Sequence, residues 1–380
     1  MTRLKIVFCC NTTFGILNFR AGVIRALIGL GHRVVVVAPK DQFVERVRSL
    51  GVEYVEWKLS GSSTRLSSEL RAVSALARIY RDMRPDITFH FTIKAVIYGA
   101  LAARWTRTPF ISVVTGLGYV FLNENWASKL SRALYRVTLG HSREVWFLNK
   151  DDEATFAEHG LLRGSEVRLL PGEGVDMMHF SPNPASPAVS SHCTFLMIAR
   201  LLKDKGVFEY VEAARAVRAL EPSARFVLMG PSDSSNPTAI DIEQVRSWEK
   251  EGVVNYLGNV EDVRPAINAS TCVVLPSYRE GMPRCLLEAA SMERAVVATD
   301  VPGCRDVVVD GSTGLLCNVR DAHDLAEKLL AITRMKEADL LSMGQRARLY
   351  VRNSFDERLV IEAYLGALDR VTGRAAREAA

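Results

Sequence analysis

The chain has 380 residues, 48% hydrophobic and 24% charged, the make-up of an ordinary globular protein long enough for two domains with separate cores. No run of 18 apolar residues exists, which excludes a spanning helix, and the opening MTRLKIVFCCNTT lacks a signal-peptide layout, so the expected place is the cytoplasm. The net charge of +5 is uneven: residues 1–180 carry 24 Lys and Arg against 16 Asp and Glu, and residues 181–380 carry 24 against 27, so the basic half points to an anionic partner.

In chain order, strand patterns fall at 4–10, 33–38, 53–56, 86–91, 110–114, 144–148 and 167–170. Helical patterns lie between them at 18–30, 42–50, 66–83, 95–104, 126–139 and 150–159. Short Val/Ile/Phe-rich strands alternating with helices predict a parallel sheet covered on both faces. Cys9 and Cys10 fall in the first strand, and the seven cysteines form no C-x-x-C pair, which predicts buried thiols rather than disulfides or a zinc site. Residues 181–191, with three prolines, four serines and no charge, predict a linker.

A second series follows, with strands at 193–199, 225–229, 253–257, 272–275 and 295–298. Its helices are predicted at 208–220, 240–250, 262–267, 284–292 and 322–335, and a last one at 356–371 precedes a frayed tail, 374–380. The expected architecture is α/β: two doubly wound, Rossmann-like domains at 1–182 and 193–355, with ligands beyond the strand C-termini, where the domains face each other.

Three blocks in the second half carry chemistry. Glu280-Gly281-Met282-Pro283-Arg284-Cys285-Leu286-Leu287-Glu288 puts one glutamate on a loop and another a turn into a helix, two acceptors able to grip sugar hydroxyls. Arg284 and Glu288 stand four apart, so a purely structural ion pair between them is the competing reading. Arg200 and Lys205 follow a strand in a loop closed by Gly206, where a guanidinium fork and an ammonium together hold two phosphates. Pro302-Gly303-Cys304-Arg305-Asp306 and Asp310-Gly311-Ser312-Thr313-Gly314 form the third.

The amino half contributes Asn11-Thr12 ahead of Asn18-Phe19-Arg20, then His90-Phe91-Thr92-Ile93-Lys94, and Thr115-Gly116-Leu117-Gly118-Tyr119-Val120-Phe121. The turn 11–15 holds only Gly15 and does not read G-x-G-x-x-G, which weakens a nicotinamide reading. His90 is placed at a strand end, facing the cleft.

Taken together, in this order and over about residues 4–370, these blocks resemble the family 4 retaining glycosyltransferases of GT-B fold. The amino-half trio resembles a narrower group, bacterial transferases that add an N-acetylhexosamine to undecaprenyl-pyrophosphate-linked sugars. The resemblance implies a nucleotide-sugar donor, UDP-linked, bound by Arg200, Lys205, Gly15, Asn259, Val260, Glu280, Gly281, Met282, Pro283, Leu287 and Glu288. It implies that Glu280 lies near the donor sugar, Glu288 meets the ribose and the base rests near Asn259 and Val260. It assigns His90 to the donor sugar or acceptor beside Glu280, Arg200 and Lys205 in the reacting group. Asn11, Thr12, Lys94, Thr115, Gly116 and Gly118 fall to the polyprenyl-pyrophosphate-linked acceptor. A helix at 356–372 crosses back onto the first domain in such folds. The leaving phosphate oxygen itself receives the acceptor proton, so the family needs no separate base.

No D-x-D or His/Asp cluster occurs, so no catalytic metal or other cofactor is expected. Lys129, Arg132, Arg136 and Arg143, with Trp126 and Tyr135 among them, predict a basic helix lying on an anionic membrane at the inner face of the cytoplasmic membrane. Arg71, Arg78, Arg81 and Arg84 mark another basic helix. No recognisable nucleic-acid fold carries the charge. A GDP- or dTDP-deoxysugar transferase, a UDP-sugar epimerase and a non-catalytic scaffold are the alternatives, and the sequence leaves the oligomeric state open.

Overall fold

The computed structural model describes residues 3–59, 66–117, 121, 126–162, 164–183, 192–232, 236 and 238–372. The chain divides into two compact units, 1–173 with 357–380, and 174–356. The first holds seven parallel strands: β1 (Lys5–Cys9), β2 (Arg33–Ala38), β3 (Glu53–Glu56), β4 (Ile87–Phe91), β5 (Phe110–Val114), β6 (Glu144–Phe147) and β7 (Glu166–Leu169). Their spatial order is β3-β2-β1-β4-β5-β6-β7, so the direction of winding reverses between β1 and β4. Four early helices, α1 (Thr13–Gly29), α2 (Val44–Arg48), α3 (Leu66–Met83) and α4 (Ile93–Thr106), make the connections on that side.

The central strands are buried on both faces, which is why they read as unbroken apolar runs rather than alternating ones. On one face Val7, Val35, Trp57, Leu76 and Tyr80 pack together. On the other, Tyr364 of the helix Glu357–Thr372 meets Phe89 at 4.8 Å and Trp146 at 4.9 Å between ring centroids. That helix therefore belongs to the first unit, although it follows the second in sequence.

The second unit has six parallel strands: β8 (Thr194–Ile198), β9 (Arg225–Met229), β10 (Asn255–Tyr256), β11 (Cys272–Leu275), β12 (Ala295–Thr299) and β13 (Leu315–Cys317). Their order is β10-β9-β8-β11-β12-β13, reversing between β8 and β11. β13, the four-residue helix Cys304–Val307 and the helix Glu337–Phe355 escaped the sequence reading. β13 is a three-residue edge strand, too short to show a period. The helix Glu337–Phe355 is charged throughout, but its buried positions Leu340, Met343, Ala347 and Val351 stand three and four apart, and that spacing could have revealed it.

The amino domain expected to reach 182 ends earlier. Val175, Met177 and Phe180 insert into the core of the second unit, and the Ser291 hydroxyl donates to the Phe180 carbonyl at 2.7 Å. Most of the linker at 181–191 and the tail 374–380 lie outside the described residues.

Candidate donor and acceptor sites

In an open parallel sheet, ligands bind beyond the strand C-termini where the winding reverses. In the second unit that point is flanked by the loops after β8 and β11, which carry Arg200, Lys205 and Glu280. Lys205 closes a single 3₁₀ turn, Lys203–Lys205, and its ammonium donates to Glu280 Oε1 at 2.5 Å. Burial alone would lower the Lys205 pKa, but the charge and hydrogen bond of Glu280 outweigh it and hold the pKa above its ordinary value. Arg200 is exposed beside this pair, and its charge pulls on Lys205 in the opposite direction.

Backbone contacts fix the loops. Gly206 has φ of +73°, and a Cβ there would stand 2.0 Å from the Pro276 carbonyl oxygen. Tyr278 N–H donates to the Asp204 carbonyl at 2.9 Å. Gly303, after β12, lies so close under Glu280 that a Cβ would sit 2.7 Å from its carbonyl oxygen. The Thr299 hydroxyl donates to the Ser277 carbonyl. Tyr278 also donates through its hydroxyl to Glu209 at 2.7 Å and lies beneath the Arg320 guanidinium, 4.6 Å from the ring centre. The sequence reading left Tyr278 aside because nothing local marks an aromatic as a loop clasp.

The helix Arg284–Ser291 follows Gly281, Met282 and Pro283, with Pro283 at its N-cap. Arg284 makes the ion pair with Glu288 that competed with a ligand role, at 2.9 Å. Burial pushes the Glu288 carboxyl up from its ordinary value, against the pull of Arg284. Leu287, expected at the nucleotide, is a correction: its side chain is fully buried in the core with Val273 and Val296, because it faces the sheet. Asn259 and Val260 are exposed just beyond β10, and Gly258 accepts from Gly230 N–H at 2.9 Å.

In the first unit the reversal lies between β1 and β4. Thr12 caps α1, accepting from Phe14 N–H at 3.2 Å, so the helix begins at Thr13 rather than near Asn18. Asp41 accepts from the Thr12 hydroxyl at 3.0 Å, from Thr13 N–H at 2.8 Å and from Phe43 N–H at 2.9 Å. Burial raises the Asp41 carboxyl, but these bonds outweigh it and leave its pKa below the usual value. Two expectations change as a result. Gly15 sits in the first turn of the helix, packed against Cys10 and Thr12, rather than in a loop ahead of it, and Thr12 is committed to Asp41 and the cap. Asn11 remains exposed.

His90 is a further correction. It is fully buried within β4 and stacks on Tyr80 and Phe110, with Nε2 3.0 Å from both the Tyr80 and Thr88 hydroxyls. Strand alternation turns Phe89 and Phe91 toward one helical layer and His90 toward α3, away from solvent. Burial lowers its pKa to about 3. A depressed histidine pKa stabilises the fold fully above the unfolded value of 6.5, and that contribution is lost as pH falls toward 3. His90→Phe is therefore expected to flatten the pH dependence of thermal unfolding between pH 6.5 and the acid limit, while leaving donor hydrolysis unchanged. A hydrolysis rate that collapses in this variant would restore His90 to the site.

Lys94, in the first turn of α4, lies 3.4 Å from Glu69. Thr92, at the head of that helix, has φ of +71° and ψ of 156°, a region used almost only by glycine. Thr115 and Gly116 follow β5, half-buried, and Gly118 lies outside the described residues. Tyr135 on the helix Trp126–Leu139 faces inward against Phe156, and Arg136 donates to the His159 carbonyl at 2.8 Å. The basic helix therefore does not present Tyr135 to a membrane.

Two family models match the chain: a glycosyl transferase 4-like domain over residues 14–173 and glycosyl transferases group 1 over residues 192–334. The chain is a two-domain glycosyltransferase. It is 27% identical over 97% of its length to the N,N'-diacetylbacillosaminyl-diphospho-undecaprenol alpha-1,3-N-acetylgalactosaminyltransferase of Campylobacter jejuni, covering 99% of that protein. It is 24% identical to the Escherichia coli UDP-Gal:alpha-D-GlcNAc-diphosphoundecaprenol alpha-1,3-galactosyltransferase, covering 75% of this chain and 76% of that one. The Anabaena HepE structure, in complex with UDP-glucose, superposes with a TM-score of 0.81 at 16% identity, over 97% of this glycosyltransferase and all of HepE. The glycosyltransferase has the GT-B fold and is a hexosyltransferase.

Proposed function

We propose that this glycosyltransferase moves an N-acetylhexosamine from a UDP donor to a saccharide carried on a polyprenyl diphosphate, with retention of configuration and without a catalytic metal. The observation that carries the reading is the Lys205–Glu280 pair, 2.5 Å apart beside Arg200 at the winding reversal of the second sheet. The likeness to the Campylobacter jejuni enzyme over 97% of the chain supports the donor and acceptor classes.

In this reading Arg200 and Lys205 neutralise the leaving diphosphate, which gains charge as the glycosidic bond breaks. Glu280 accepts from the donor sugar hydroxyls while holding Lys205 in place. Glu288, with one oxygen on Arg284, accepts from a ribose hydroxyl through the other. The exposed backbone at Asn259 and Val260 reads the base edge. Asn11, Lys94, Thr115 and Gly116 serve the acceptor, and the leaving phosphate takes the proton of the attacking hydroxyl. The enzyme works at the inner face of the cytoplasmic membrane, on an anionic surface.

The test is incubation with labelled sugar nucleotides and extracted polyprenyl-diphosphate saccharides in the presence of EDTA, followed by counting label in the organic phase. Label from one UDP-N-acetylhexosamine, absent with Glu280→Gln, is expected. Transfer from a GDP- or dTDP-sugar alone, or transfer abolished by EDTA, would overturn the donor or the metal-free part.

A further inference from the structure

Tyr278 stands two residues before Glu280 in the loop after β11, and it holds the Lys205 segment from both sides. Its N–H donates to the carbonyl of Asp204, the residue before Lys205, at 2.9 Å. Its hydroxyl donates to Glu209 Oε1 at 2.7 Å, in the first turn of the helix Val207–Leu220 that follows Lys205. Beyond the end of β13, the Arg320 guanidinium covers the ring, 4.6 Å from its centre. One residue thus joins the loops after β8, β11 and β13 at the C-terminal edge of the second sheet.

The bond to Glu209 is charge-assisted, because its acceptor is a carboxylate in a half-buried site. The other oxygen, Oε2, is buried and takes no hydrogen bond, so among the described residues the Tyr278 hydroxyl is the donor on which this carboxylate depends. Burial and the Glu209 bond push the Tyr278 hydroxyl up to about 12, so it stays protonated and donating throughout the neutral range. A tyrosine that only stabilised the fold would serve equally well farther along the helix Val207–Leu220. Here its two hydrogen bonds bracket Lys205, and Glu280, which Lys205 meets at 2.5 Å, follows two residues later. Slack in this clasp therefore falls on the distance between the ammonium and its carboxylate.

We propose that Tyr278 is a positioning residue for the transfer: through Asp204 and Glu209 it sets Lys205 against Glu280 before the leaving diphosphate develops its charge. The inference rests on the reading of that pair as donor-site machinery.

The test combines kinetics and chemical labelling on the full chain. Tyr278→Phe keeps the ring under Arg320 and the backbone bond to Asp204 but removes the hydroxyl. It is expected to lower kcat about ten-fold with donor KM little changed, since misplacement of a reacting group acts mainly on the transition state. Glu209→Leu should match it, whereas Glu209→Gln, whose amide oxygen still accepts from Tyr278, should keep most of the rate. In a Lys205→Met background Tyr278→Phe should cost no further rate, because it acts through the missing ammonium. Acetic anhydride labelling scored by mass spectrometry reports on Lys205 without any donor or acceptor. Largely buried and held protonated by Glu280, Lys205 should label slowly beside the exposed Lys336. Tyr278→Phe should speed labelling of Lys205 several-fold and leave Lys336 unchanged. Wild-type kcat with wild-type Lys205 labelling in Tyr278→Phe would overturn the inference. So would a loss of kcat that persists in full in the Lys205→Met background, or one explained entirely by the fraction unfolded at the assay temperature. The expected labelling change in a protein that transfers no sugar would uphold the clasp and overturn the proposed activity instead.

Discussion

Lys205→Met is expected to lower kcat for transfer at least about a thousand-fold, roughly 4 kcal/mol of barrier, with a smaller effect on donor KM. The ammonium stands beside the exposed Arg200 and is fixed by Glu280 at 2.5 Å, so it is held in place before the leaving diphosphate develops its charge. A group positioned in this way acts on the transition state more than on bound donor. Lys205→Arg should recover part of the rate. Removing the cation also strands a carboxylate whose side chain is only 14% exposed, so about 1–3 kcal/mol of stability should be lost. The Lys205→Met, Glu280→Gln double variant should regain most of that stability but none of the activity. Steady-state kinetics and thermal unfolding on the three variants separate the roles. A change in donor KM alone would reduce Lys205 to ground-state binding.

Gly206→Ala should be the most damaging small substitution in the second unit. Its left-handed φ of +73° costs an alanine about 1 kcal/mol. The new Cβ would also stand 2.0 Å from the Pro276 carbonyl oxygen, so the two loops must part. The expected loss is about 3 kcal/mol or more, with transfer reduced roughly a hundred-fold as Lys205 moves away from Glu280. Gly252→Ala is the control, since Gly252 has φ of +77° but open space around it, so it should lose only the conformational part. Equal melting temperatures for the two variants would show that the close approach to Pro276 does not matter.

The donor half was more legible than the acceptor half, for a physical reason. Arg200, Lys205 and Glu280 sit on short loops between strongly patterned strands and helices, with Glu288 a turn into the next helix, so spacing placed them near the C-terminal ends of β8 and β11. In the amino half the decisive contacts join distant positions. Asp41 reaches Thr12 and Thr13 from the loop after β2, and no local pattern marked it. Its bonds moved the start of α1 to Thr13, placed Gly15 in the first helical turn and committed Thr12 to the cap. His90 showed the same limit: a period of two reveals alternation, but in a strand buried on both faces neither side is open.

Periodicity was enough to predict two parallel α/β sheets and the loops that bear Arg200, Lys205 and Glu280, while the glycosyltransferase class rested on the resemblance of the motif blocks. These follow from interactions between near neighbours, which a linear pattern records. Which face His90 turns to, whether Arg284 claims Glu288 and how closely Gly206 approaches Pro276 depended on strand order and packing. Those are distances between residues tens of positions apart, and only the folded chain brings such residues into contact.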